Sequence, residues 1–447
     1  MFAWTAMRRL SDLERGLNEH AELLQRILGN GIGNGRSEES QVVDTTLQGG
    51  GDGESPALPP ESVLRELVYT YFDVVHPWVP VLHRRRFELG AFEEIETRSD
   101  ATVLLLHAIV AVTIRFCKSS QLMGLSERRN VISRCRKYVL LKAMETRTLE
   151  SAEALIILSF DQIGSGSPPE KWPIIDTLTK MVERLGLQFE PLDNTVHDYI
   201  REEEKRRIYW IVFSLDRLSS MLASWKPLLQ ETYRRLPCGG TFYKLEKVVR
   251  TRYFAINNMP FPDHNPDDEE IAAIGGLAYG IEATELLNLT IQCLNNHQDS
   301  PSVHNIQQKL LTWKQKLPSE WQVPRPRTAH RQTPTLDENL VLAHVTYNTC
   351  LILLDKQEED QETSAKRITA IMHQYLSINY GLVHPQLAYC LFLVGSRLAS
   401  TSKTRLEFYS YLQQLSDRWH LIDDHEDLAA KLSKALQNNL SQIYTST

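Results

Sequence analysis

Six cysteines are as many as a two-zinc thiolate cluster requires, so Cys117, Cys135, Cys238, Cys293, Cys350 and Cys390 are the first residues to weigh for chemistry. A zinc thiolate site takes pairs roughly two to four residues apart, because one tight turn must aim both sulfurs at one ion. The nearest two here, Cys117 and Cys135, are 18 residues apart. Cys117, Cys350 and Cys390 fall inside apolar helical stretches, where a thiol acts as a small hydrophobe. The expectation is reduced, inert cysteines and no metal ligand or cofactor in this chain.

Carboxylates come next. Asp423-Asp424-His425-Glu426-Asp427 fits Asp-Asp-x-x-Asp, a spacing that on a helix presents carboxylates on one face to magnesium-bound diphosphate, as in helical terpene synthases. That chemistry needs a second metal-binding helix well downstream, and only 20 residues follow. Asp267-Asp268-Glu269-Glu270 lies upstream in a proline-rich loop, so helix capping and a solvated acidic turn explain both runs better. A magnesium-dependent all-helical enzyme is the remote alternative. There is no His-Glu-x-x-His, Gly-x-Ser-x-Gly or Gly-x-x-x-x-Gly-Lys, and no catalytic residue is named. His76 and His83 flank a rigid turn, where hydrogen-bonded structural roles are expected of both.

Arg84-Arg85-Arg86 is the densest basic run, joined by Arg206-Arg207. A DNA reader adds to such residues an element that enters a groove, and none is legible here. The net charge is -7, so the chain as a whole does not attract phosphate. Glu88, Glu93, Glu94 and Glu202–Glu204 predict a solvated, ion-paired face. No DNA-binding residue is assigned.

The elements that position these groups are helical. Ile174/Ile175, Leu178, Met181/Val182 and Leu185 recur at helical spacing, as do Ile208, Ile211/Val212, Leu215, Leu218 and Met221/Leu222. No sustained alternation of the strand kind appears, and the fold class is all-α. Leu342 to Leu354 and Ala388 to Leu398 read as central, buried helices. The longest apolar run, Thr102 to Ile114, is too short to span a bilayer, and no secretory signal opens the chain. Residues 1–29 hold a short coiled coil, with Leu10, Leu13, Leu17, His20, Leu24 and Ile27 in a/d rhythm over Met7 to Leu28. Residues 30–60 form a disordered glycine- and proline-containing linker. Residues 61–447 form one large helical domain, broken by loops near Gly164–Pro169, Pro260–Pro266 and Pro318–Pro334.

From Leu64 onward the chain resembles the fungus-specific regulatory domain, or middle homology region, of binuclear zinc-cluster transcription factors. Tyr71-Phe72, His76-Pro77, Pro80, His83 and Phe87 match that domain's opening, in which a helix runs into a His-Pro turn. Pro77 and Pro80 stop the helix, so that Trp78, Leu82 and Phe87 can pack back on the core. Ser151 to Leu158, Gly164, Gly166 and Trp172 resemble the family's helix, glycine loop and tryptophan-led helix, which closes with Leu185-Gly186-Leu187. Glu202 to Trp210, with Arg206 and Arg207, resembles its acidic-basic-aromatic helix; Asp216-Arg217, Ser219 and Leu236-Pro237 complete the block. Asp216-Arg217 is expected to be a partly buried pair that fixes helix register. Weaker echoes at Trp313 to Pro318 and at His344, Tyr347 and Leu351–Leu354 extend the resemblance across residues 61–355. Ser224-Trp225-Lys226-Pro227 stands where the family often has Gly-Arg-Pro, which puts the local loop geometry in question.

The resemblance implies a nuclear transcription regulator, possessing an effector- or partner-sensitive helical domain and controlling a metabolic (secondary-metabolite) gene cluster. It gives no effector-binding residue. Met7 to Leu28 resembles the family's dimerising coiled coil, which implies homo- or heterodimers, with transcription machinery or other regulators as partners and no membrane. DNA would be reached through a zinc cluster that these residues do not contain. Two expectations follow: the natural start lies upstream of Met1, or the chain is a DNA-binding-deficient corepressor or coactivator of an intact zinc-cluster factor.

Overall fold

The computed structural model describes residues 55–419, except 117–123, 167–172, 192–195, 224, 231, 257–266, 296–299, 327–335, 356, 380 and 399–402. The expected coiled coil and most of the linker, Trp172, Cys117 and the Asp423–Asp427 run lie outside the described residues.

The first helix, α1 (Glu61–Val74), starts behind Pro60, with Glu61 facing the positive end of the helix dipole, and buries Leu64, Leu67, Val68, Tyr71 and Phe72 along one stripe. After the His-Pro turn, α2 (Arg84–Ala91) begins on His83, whose ring accepts from the Arg86 amide. In α3 (Asp100–Thr113), Ser99 caps the start and every side chain from Leu104 to Thr113 is buried. Its uniform apolarity places it inside the bundle, between α1, α4 (Leu125–Thr146) and α5 (Leu149–Gly164). Thr148 caps α5 by accepting from the Ser151 amide.

The most amphipathic segment, α6 (Pro173–Arg184), buries Ile174, Ile175, Leu178, Met181 and Val182. Gly186 ends it with φ +67°. Its amide donates to Glu183 and that of Leu187 to Val182, at 3.1 and 2.9 Å, the paired bonds of a Schellman stop. Along α7 (Tyr199–Ala223), 25 residues extend for about 37 Å and pack against α5, α6 and α10 (Gly276–Asn295). Between them stand the short α8 (Gly240–Lys244) and α9 (Asp268–Ala272). Two isolated antiparallel bridges, Arg235 to Tyr253 and Cys238 to Ile274, tie that stretch together; among the described residues there is no strand.

The remaining helices are α11 (Ser300–Lys316), α12 (Glu338–Leu354), α13 (Glu358–Ile378), α14 (Pro385–Arg397) and α15 (Lys403–Trp419). The α10–α12 pair is the most extensive helix contact, and α13 and α14 flank α12. Leu342 to Leu354 is therefore central, as its composition implied, and α14 is buried from Pro385 to Leu391. One hydrophobic cluster runs from Leu64 to Trp419. No helix among the described residues is long and apolar enough to cross a membrane.

Gly164 differs from the sequence reading. It is the last residue of α5 rather than a loop glycine, and a Cβ there would run into the indole of Trp419. Its function is close approach: the missing side chain admits Trp419 beside Trp78 and Phe160.

Candidate functional site

The turn after α1 joins three distant parts of the chain. His76 donates from Nε2 to the Leu82 carbonyl at 2.9 Å, and burial, only partly offset by that bond, lowers its pKa to about 4. The ring is therefore neutral and packs on Phe72, which also touches Phe87. Pro77 accepts from the Asn339 amide of α12 at 3.2 Å, and Pro80 from the Arg207 guanidinium of α7 at 3.0 Å. The His83 Nε2 donates to the Tyr243 carbonyl of α8 at 3.1 Å. Tyr71, Phe72, His76, Pro77, Pro80, His83 and Phe87 thus build one anchor, held by backbone carbonyls that the prolines expose.

The acidic-basic-aromatic segment of α7 is interior, which corrects the expectation of a solvated face at Arg206-Arg207. Glu202, Glu203, Glu204 and Arg207 are all buried. Arg207 donates to Glu203 at 2.9 Å and to the Cys238 carbonyl at 2.7 Å, and lies 3.9 Å over the Tyr243 ring. Arg206 bridges Glu190 and Glu203 at 2.6 and 2.9 Å. Burial opposes its charge, but those two carboxylates outweigh burial and hold its pKa above the ordinary arginine value. Arg234 pairs with Glu202, and Arg235 with Glu270, each at 2.9 Å. Glu270 is hence buried, not part of a solvated turn, whereas Asp267 does cap α9 by accepting from the Glu270 amide. Arg84–Arg86 behave as expected: they are exposed and pair with Glu88, Glu246 and Asp198.

Farther along α7, Trp210 donates from Nε1 to the Arg235 carbonyl at 2.7 Å. Asp216 accepts from the amides of Leu228 and Leu229 at 3.0 and 2.9 Å. Arg217 pairs with Asp216 and with Glu285 of α10, both at 2.8 Å. This pair is fully buried and organises the loop after Trp225, where the sequence departs from the family pattern. Pro237 sits between Leu236, whose amide donates to the Arg252 carbonyl, and Cys238, bridged to Ile274.

Sequence reasoning missed Glu190, Arg234, Arg235, Glu282 and Glu285. A usable signal existed for Glu282 and Glu285, lone acids inside the apolar run of α10: Glu282 holds Arg252 at 2.7 Å, as Glu285 holds Arg217.

Two clefts flank α7. One, of 340 Å³, lies between α2, α3, α5 and α7 and is lined by His83, Arg86, Thr102, Glu153, Arg201 and Glu204 among others. The other, of 270 Å³, has Glu190, Glu203, Arg206 and Arg235 in its wall and the exposed Tyr199 and Val248 at its rim. The five described cysteines are buried. Burial pushes the Cys135 and Cys238 thiols up to about 12, which removes the thiolate a nucleophile would need. Among the described residues no three His, Cys, Asp or Glu are grouped to hold a metal ion.

Residues 68–247, from α1 to just beyond α8, match the fungal specific transcription factor domain. An uncharacterized transcriptional regulatory protein of Schizosaccharomyces pombe is 23% identical over 57% of this chain and 41% of its own length. The tropolone cluster transcription factor of Talaromyces stipitatus is 30% identical over 38% of this chain and 31% of its own length. A pigment biosynthesis transcriptional activator of Monascus ruber is 28% identical over 36% of this chain and 30% of its own. The chain thus spans at most 41% of these relatives, which are named as regulators and not as enzymes. The turn anchor and the buried charge lattice of α7 both fall within the segment that matches the fungal specific transcription factor domain.

Proposed function

We propose that this chain regulates transcription in the nucleus, its helical domain receiving a signal from a small effector or a partner protein. The observation that carries the reading is the coincidence of the matched segment with α7 and its two clefts. A ligand or partner that meets one side of α7 acts on a helix that also contacts the turn anchor, α5, α6 and α10. It biases the packing of the whole domain if it binds one arrangement better than another. The Talaromyces relative is a tropolone cluster factor and the Monascus relative a pigment biosynthesis activator by name, which supports control of a metabolic gene cluster.

DNA contact is assigned to a zinc cluster outside these 447 residues or on a partner, and no cofactor is assigned to the chain itself. Partners are transcription machinery or another regulator, reached as a homo- or heterodimer through Met7 to Leu28. The test is to tether the full chain to an unrelated DNA-binding domain upstream of a reporter in a fungal cell. Reporter output should rise or fall several-fold relative to the tether alone. Unchanged output from a chain that is expressed and nuclear refutes the reading.

A further inference from the structure

The cleft between α2, α3, α5 and α7 contains one ionisable group whose chemistry is not satisfied by the fold. Arg86 gives two hydrogen bonds to Asp198, at 2.9 and 2.8 Å. Arg201 pairs with Glu150 and Glu204. The ring of His83 uses both nitrogens, one toward the Arg86 amide and one toward the Tyr243 carbonyl. Glu153, from α5, also lines this cleft and is only 3% exposed, yet it has no hydrogen bond or ion pair among the described residues. Two more buried groups within its electrostatic reach, the hydroxyls of Tyr71 and Tyr243, likewise have no hydrogen-bond partner there.

The surroundings say what would complete the site. Four carboxyls line the cleft against two guanidiniums, and both guanidiniums are engaged by the other three acids. Burial, reinforced by Glu204 and Glu150, pushes the Glu153 carboxyl well above the usual carboxylate range. A cation would relieve both effects; an anion would add to them. The remaining wall is apolar, from Leu82, Phe87 and Leu105, and suits a short methylene chain. A volume of 340 Å³ is at the small end of ligand pockets.

We propose that this cleft binds a small organic cation, a primary amine or guanidinium on a short aliphatic chain, whose N–H groups donate to the Glu153 carboxylate, the carboxyl proton passing to solvent as the cation enters. The proposal deepens the effector reading above and rests on it for its regulatory meaning. The bound cation would tie α5 to α2, α3 and α7, the elements that carry the turn anchor and the charge lattice.

The test is calorimetry and thermal melting of the full chain with agmatine and n-butylamine, against 1-butanol as the uncharged match. Agmatine should bind saturably and raise the melting temperature, butylamine more weakly, and butanol not at all. Glu153→Gln keeps the shape but loses the charge-assisted bond, so affinity should fall about tenfold or more. Ala101→Phe, at the half-buried mouth of the cleft, should also abolish binding and serves if the first variant does not fold. Equal behaviour of amines and butanol, no saturable binding at about 10 mM, or native affinity in Glu153→Gln overturns the site. If no amine binds while the tethered chain still changes reporter output, the site falls and the regulatory reading stands. If Glu153→Gln loses agmatine but the reporter's response to agmatine is that of the native chain, the site stands and its effector role falls.

Discussion

Glu338, the first residue of α12, accepts from the Tyr375 hydroxyl at 3.0 Å and the Asn379 amide at 2.7 Å. Burial is the main reason its pKa rises from 4.5 to about 8, with Asp337 adding to it and the Tyr375 bond opposing it. The folded chain therefore holds a proton that the unfolded chain releases near pH 4.5. Stability from this group is complete below that value and is lost as pH rises toward 8. Glu338→Gln keeps the shape without the titration. At pH 8 it should be more stable than native by on the order of 2 kcal/mol, and near pH 4.5 equal to it. Denaturant unfolding across that range checks this; a pH-independent difference between the two proteins would refute it. Nothing in the sequence around Glu338 distinguishes it from an ordinary acid in a first helical turn. Its partners are 37 and 41 residues away, and only the fold brings them near. Gly164 was equally opaque, because the ring that needs its missing Cβ belongs to Trp419.

At the level of elements, α7 is where periodicity and charge pattern diverge in what they reveal. The apolar stripe from Ile208 to Met221 was legible, because a helix buries every third or fourth position whatever it packs against. The alternation of Glu202–Glu204 with Lys205–Arg207 was not, since acids and bases one turn apart stabilise a wet surface and a buried lattice alike. The difference is made by Glu190, from the connection before the helix, and by Arg234 and Cys238, from the connection after it. This predicts a sharp contrast between two arginines, each paired to a glutamate four residues away. Arg207→Ala leaves the Pro80 and Cys238 carbonyls without their buried donor and Glu203 with Arg206 as its one remaining cation, and should cost roughly 3–5 kcal/mol. Arg84→Ala breaks an exposed pair with Glu88 and should cost about 1 kcal/mol or less. Urea titration of both variants decides; comparable losses would mean that the lattice is solvated after all.

For the molecule as a whole, the matched segment ends at residue 247 but its packing does not. Trp78, in the turn that opens the domain, stacks edge-on against His384 at 5.5 Å and Trp419 at 6.3 Å. Pro77 is held from α12, and Arg217 of α7 from α10. Beyond α12, residues such as Ile368, Met372, Leu391, Val394, Phe408 and Leu412 are fully buried in the same cluster. Sequence resemblance fades after Asp355, yet apolar periodicity does not, because any helix with the right stripe can close a core while turns and charge lattices demand particular residues. A chain cut after Asp355 would keep every strong motif and lose α13, α14 and α15. It would expose one face of α12 and open the pocket around Trp78, a loss of apolar burial far larger than the ~5–15 kcal/mol that separates folded from unfolded domains. Such a chain should show no cooperative thermal transition and should be retained in the insoluble fraction. If it instead melts cooperatively with native helical content per residue, the segment up to Asp355 is a domain in its own right, and the turn anchor does not depend on the C-terminal helices.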